Sequence, residues 1–110
     1  DMADAVSFSF SDTIAGYAPE LWWPVHPLYE AGRYGEAADR GRELLAEHPY
    51  PDLAYNVACC ESLAGGPADA IEHLRLAIDG SEQFRARPAG DSDFDAVRNE
   101  PGFQALLAKN

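Results

Sequence analysis

The sequence predicts an all-α fold of antiparallel helix-turn-helix repeats, with an extended arm at the N-terminus and a capping helix at the C-terminus. Three observations carry that expectation. Apolar residues recur at helical spacing from Val25 onward, and glycines and prolines punctuate the helical stretches. Setting Ala31–Ala38 above Ala64–Ile71 superposes Gly32 on Gly65 and Ala37 on Ala70, each pair 33 residues apart. A period of that length in a helical sequence signals stacked two-helix units. Glycine permits a left-handed turn between helices, and alanine lets paired helices approach closely. Leu44-Leu45 falls on Ala77-Ile78 at the same offset, whereas upstream Leu28 falls on Glu61 and the likeness fades.

Residues 1–18 form a compositional zone of their own, an extended arm or the remnant of a preceding domain, and residues 19–110 form the repeat domain with its cap. Val6-Ser7-Phe8-Ser9-Phe10 alternates at period two, as a half-buried strand does, but has no evident partner strand in this chain. Ser11-Asp12-Thr13 suits a turn, and the aromatic connector Tyr17–Pro24, interrupted by two prolines, is expected to pack onto the module. Val25, Leu28 and Tyr29 make the apolar face of a first helix, which Ala31-Gly32 stops. The second helix runs from Glu36 to Glu47, with Ala37, Ala38, Gly41, Leu44 and Leu45 inward, and breaks at His48-Pro49-Tyr50-Pro51. Asp52 is placed to cap a third helix that buries Leu53, Ala54, Val57, Ala58 and Leu63 and ends at Gly65-Gly66. Pro67 suits the first turn of a fourth, whose inward residues are Ala70, Ile71, Leu74, Ala77 and Ile78. After a polar stretch, Phe94, Val97, Phe103, Leu106 and Leu107 make a final helical segment with a break before Pro101.

These residues resemble the tetratricopeptide repeat family in its bacterial form. Its turn signature is a glycine, an aromatic two positions later, an acidic residue followed by alanine, and a proline closing the second helix. Gly32, Tyr34, Glu36, Ala37 and Pro49 match it in the first unit. In the second, Gly65, Asp69 and Ala70 match, while Pro67 replaces the aromatic and Glu82 stands where the proline belongs. Asn56-Val57-Ala58-Cys59-Cys60 is similar to the Asn-Leu-Ala-Cys run of many bacterial members, and Asp91–Phe103 is similar to the segment that closes such arrays. The resemblance covers roughly residues 19–82. In some bacterial proteins such a tail follows a small cupin barrel, and the strand-like start is then the end of one.

The resemblance implies a protein-interaction or oligomerisation module whose groove, lined by the first helix of each repeat, accepts a peptide or protein segment. The alternative is a regulatory or capping tail of a cupin-type protein that binds a metal or small molecule. Asn56 stands at the position of a groove asparagine that holds a ligand backbone with its paired donor and acceptor; the competing role is a tie between neighbouring helices. Trp22, Trp23, His26 and Tyr29 complete the candidate groove set, the tryptophans either stacking a ligand or anchoring the connector. A clamp for a C-terminal carboxylate needs lysine or arginine there, but the corresponding helices offer Glu20, His26, Glu30, Asp52 and Glu61. Two repeats are fewer than the roughly three that bury a continuous core. Trp22, Trp23 and Phe103 are therefore expected to cover the open ends or to mediate a homodimer.

Composition narrows the partner class. The 110 residues carry 19 acidic and 8 basic side chains, a formal charge of −11, with a single lysine. Nucleic acid and anionic membranes are poor partners for such a chain, since both are bound through clustered lysine and arginine. A protein or peptide partner with a basic patch suits it. No apolar run reaches the length of a membrane span, no signal-peptide pattern opens the chain, and the adjacent Cys59 and Cys60 cannot pair without strain, so a cytoplasmic location is expected. The start at Asp1 predicts a piece of a longer protein.

No site chemistry is expected. Cys59 and Cys60 suit compact apolar packing, because a structural zinc site takes about four ligands at characteristic spacing. His26, His48 and His73 lie far apart in sequence and suit surface or capping roles. Asp91, Asp93 and Asp95 resemble the start of a calcium loop but lack its glycine and its glutamate at the twelfth position, so their expected work is capping the helix that follows. No nucleophile, base and orienting group declare themselves, so the chain is expected to be neither an enzyme nor the holder of a cofactor or metal.

Overall fold

The helical periodicity that begins at Val25 becomes helix throughout the computed structural model, which describes residues 21–108. The helices are α1 (His26–Glu30), α2 (Tyr34–Glu47), α3 (Pro51–Leu63), α4 (Pro67–Gly80) and α5 (Pro101–Ala108), and no strand occurs among the described residues. Between α4 and α5 run three short 3-10 segments, Glu82–Phe84, Arg87–Gly90 and Ser92–Val97. Phe94 and Val97 thus enter the core from a 3-10 segment, separated from α5 by the break before Pro101. The strand-like stretch 6–10, the arm 1–18 and Glu20 lie outside the described residues.

The 33-residue offset has a concrete local meaning. Gly32 and Gly65 both take positive φ, 77° and 85°. At the first turn Arg33 N–H donates to Leu28 C=O at 2.9 Å and Gly32 N–H to Tyr29 C=O at 3.0 Å; at the second, Gly66 N–H donates to Glu61 C=O at 2.8 Å and Gly65 N–H to Ser62 C=O at 3.1 Å. Both turns are Schellman caps, in which a left-handed glycine lets two successive amides satisfy the last carbonyls of the helix. Sequence and hydrogen bonding repeat together here.

The core centres on α3, which packs against α2 on one side, α4 on another and the Ser92–Val97 segment on a third. Tyr55, Ala58, Leu74, Ala77, Phe84, Phe94, Val97 and Phe103 share the larger apolar cluster; Val25, Ala37, Ala38 and Cys60 share a smaller one that includes Trp22 and Tyr29 at its edge. Tyr55 stacks on Phe84 at 5.1 Å between ring centroids and meets Phe94 edge-on at 5.5 Å, and Phe94 leads on to Phe103 at 5.7 Å. Phe103 is buried in this cluster. Trp22 is half-buried, but Trp23 is 68% exposed. No helix of the described residues is long and apolar enough to cross a membrane.

Two expectations for α3 need correcting. Tyr50 is its N-cap residue and Pro51 takes the first turn, so Asp52 lies inside the helix and makes no capping bond. Proline's preset φ and missing amide suit that position better than any residue that would leave an unpaired N–H there. Burial raises the Asp52 carboxyl above its ordinary value, against the lowering influence of Arg87. Glu61, expected along the groove, is instead buried with its side chain wholly covered. It receives Arg42 Nε from α2 at 2.7 Å and His73 Nδ1 from α4 at 2.7 Å, tying three helices through one carboxylate. A charge so buried is tolerable only because both oxygens are paired.

His73 Nδ1 faces two acceptors, Glu61 Oε1 and the Asp69 carbonyl at 3.1 Å, so it carries the proton. The hydrogen bond to Glu61 holds the His73 pKa above its ordinary value, outweighing burial and Arg42, which lower it. Its stabilisation is therefore complete below the unfolded pKa of about 6.5 and is lost as pH rises through the higher folded value. Urea unfolding of the parent is expected to show a midpoint that falls as pH rises above about 6.5, a fall attenuated in His73→Gln. Equal pH slopes in the two proteins would mean that the pair does not stabilise the fold. Gly65→Ala is expected to cost about 1 kcal/mol in the same assay, from positive φ alone. An added Cβ at that glycine meets no atom within 4 Å.

Candidate functional site

α1, α3 and the start of the Ser92–Val97 segment converge on an open cavity of about 340 Å³. α1 supplies His26 and Tyr29, the turn that leads into it supplies Trp22, and α3 supplies Tyr55, Asn56 and Cys59. Asp91 and Asp93 close the remaining side. Helical spacing explains the α3 contribution, because residues 55, 56 and 59 occupy neighbouring positions on one flank of a helix. Proline at the first turn of α1 and α3 starts both helices at fixed points.

The acidic side is held by tyrosines from both helices. Tyr29 Oη donates to Asp93 Oδ2 at 2.7 Å and Tyr55 Oη to Asp91 Oδ2 at 2.7 Å. Asp91 also caps the segment that follows, its Oδ1 accepting the Asp93 amide at 3.0 Å. The capping role expected for these aspartates is thus present at Asp91, together with a tyrosine contact that spans 64 residues at Asp93. The hydrogen bond to Asp93 pushes the Tyr29 phenol far up, and burial followed by the bond to Asp91 does the same for Tyr55. Both phenols remain donors at any ordinary pH.

Arg98 sets the turn that carries the aspartates. Its guanidinium donates to the carbonyls of Pro88 at 3.2 Å, Ala89 at 3.1 Å and Asp91 at 2.9 Å, while pairing with Asp95 at 2.9 Å. The planar fork of an arginine presents five N–H donors in fixed directions and can hold several carbonyls at once. Sequence pattern gave no sign of this role, since an arginine three residues after an aspartate suggests only a surface pair.

Cys59, Asp91 and Asp93 bring three potential ligand atoms within 4.8 Å of one another. Sequence spacing does not reveal this grouping, because Cys59 is brought to the aspartates only when the terminal turn folds back on α3. Burial, then the neighbouring carboxylates, push the Cys59 thiol far up. Cys60 sits in the smaller apolar cluster. Neither thiol is paired.

No family model, curated protein or solved structure matches this chain. The site therefore stands on its own geometry. Of the five residues singled out for a groove, Trp22, His26, Tyr29 and Asn56 share this one cavity, and Trp23 does not line it. His26 lies at the rim, exposed and 3.5 Å from Glu30. His48 and His73 are elsewhere, His48 at the C-terminal end of α2 and His73 against Glu61. Asp52 does not line the cavity, and buried Glu61 lies outside it too.

Arg98→Gln removes the only group that gathers all three carbonyls, and is expected to cost about 1–2 kcal/mol in urea unfolding. Amide exchange should also speed up at residues 89–93 before it does in α3. Unchanged exchange there would show that the turn is held by its own backbone.

Proposed function

We propose that the chain is a protein-interaction module of tetratricopeptide type, which holds an extended peptide or protein segment across α1, α3 and the terminal turn. One observation supports this above the others. Four side chains picked from the sequence as groove residues gather on a single open cavity, and among the described residues the Asn56 side chain forms no hydrogen bond there. A primary amide offers one acceptor and two donor hydrogens, the complement of a peptide backbone. Leaving it unsatisfied beside a cavity costs little while water reaches it and is repaid when a backbone docks. The alternative role of Asn56, tying neighbouring helices, draws no support from its contacts.

The cavity wall also suits a segment better than a small metabolite. It is open along one side and combines aromatic faces with a few fixed polar groups, the make-up of surfaces that accept side chains of an extended chain. The acidic character of the protein adds long-range attraction for a basic segment.

The test is selection of binders from an unbiased peptide library displayed on phage, followed by calorimetry with the winning sequences. Binding on the order of micromolar is expected, weakened at least about tenfold by Asn56→Ala. Far-ultraviolet circular dichroism should be unchanged in that variant, because the residue is half-buried and carries no internal bond. A library that yields no binder, or only binders indifferent to Asn56→Ala, would overturn the proposal.

A further inference from the structure

We infer that the cavity between α1, α3 and the terminal turn receives the guanidinium of one arginine side chain from the docked segment; this rests on the interaction module proposed above. The starting point is an imbalance of charge. Asp91 and Asp93 form no ion pair among the described residues, although most arginines here are engaged: Arg42 with Glu61 and Asp39, Arg75 with Glu72 and Asp79, Arg98 with Asp95. Two carboxylates on one turn, held close by tyrosines, repel each other and are left for a cation from outside.

The acceptors that remain define its shape. Asp91 uses Oδ1 on the Asp93 amide and Oδ2 on Tyr55, and Asp93 uses Oδ2 on Tyr29. That leaves the Asn56 carbonyl with no hydrogen bond among the described residues, beside the carboxylate of Asp93, which meets Tyr29 and the Cys59 thiol, and the lone pairs of the two phenols. Several acceptors spread around a cavity call for a donor with several N–H groups in one plane, which is a guanidinium. The walls add a second preference. Trp22 and Tyr29, both half-buried aromatic residues, line the same space. Guanidinium groups stack on such faces more readily than the strongly hydrated ammonium of lysine. The protein supplies an internal precedent, since the Arg87 guanidinium lies 5.3 Å from the Tyr55 ring centroid and 4.8 Å from that of Phe84.

A divalent metal is the competing cation and is disfavoured by the same contacts. Both phenol protons already point at carboxylate oxygens that a metal would need, and the sulfur of Cys59 contacts Asp91 as a thiol at 3.9 Å. An organic cation can add its hydrogen bonds without displacing these donors.

The experiment is an NMR titration of the full chain with a blocked short peptide bearing a single arginine among neutral residues. Matched peptides carry citrulline, its uncharged isostere, or lysine at the same place. Saturable shifts of the Trp22 indole N–H and the Asn56 side-chain amide are expected with arginine, at least about tenfold weaker binding with citrulline, and an intermediate response with lysine. Asp93→Asn should weaken the arginine peptide and leave the citrulline peptide unchanged; because the citrulline comparison alters only the ligand, it holds even where that variant folds poorly. Equal binding of arginine and citrulline peptides, or tighter binding of lysine, overturns the inference. So does a response of the same resonances to zinc or calcium ions with none to arginine. Library-selected peptides that require Asn56 but contain no arginine would overturn it while leaving the interaction module standing, whereas a failed selection removes the module itself.

Discussion

Everything in this fold depends on burying α3 on most of its circumference. Leu53, Ala54, Tyr55, Val57, Ala58, Cys59, Cys60, Glu61 and Ser62 are all buried, so the helix has no single polar face. A helix covered this way must be thin enough for its neighbours to approach, and alanine and cysteine keep it thin. The close approach is reciprocal at Gly41 of α2, where an added Cβ would lie 2.9 Å from a Val57 methyl and 3.5 Å from the Trp22 ring. The absent side chain leaves room for both. It thereby sets where Trp22 stands relative to the cavity.

Burial on that scale also explains the charge of Glu61 in the interior. Glu61 lies where α2, α3 and α4 meet, and an apolar residue there would satisfy packing without fixing the order of the helices. Pairing with Arg42 and His73 demands one arrangement of all three. Such networks trade stability for a defined arrangement in some proteins, and the geometry here is of that kind. The remaining arginine pairs on the surface, such as Arg40 with Glu43, span a single helical turn and add little beyond solubility.

What the sequence made legible was local or periodic. The two glycine turns, the helix start at Pro67 and the inward faces of α2 and α4 followed from rules that act within a few residues, and the glycine turns recur at the same offset. Asn56, Trp22, His26 and Tyr29, singled out from the sequence, line one cavity, and helical spacing brings His26 near Tyr29. The acidic half of the site was not. Asp93 meets Tyr29 across 64 residues, and the pairing depends on Arg98 folding a turn whose 3-10 segments have no strong period. Glu61 was misplaced for a related reason: a polar residue on a helix looks exposed until the partners that cover it, 19 and 12 residues away, are known. Asp52 lost its capping role to the proline beside it, a competition between two good local signals.

The separation of Tyr29 from Asp93 has a consequence for how the protein comes into being. A ribosome delivers α1 well before the aspartates, which follow only after α2, α3 and α4. Until that stretch appears, neither phenol has its carboxylate and the cavity has no anionic wall. The anionic cavity is therefore absent from every shorter nascent chain and is complete only in a polypeptide whose synthesis has passed this turn.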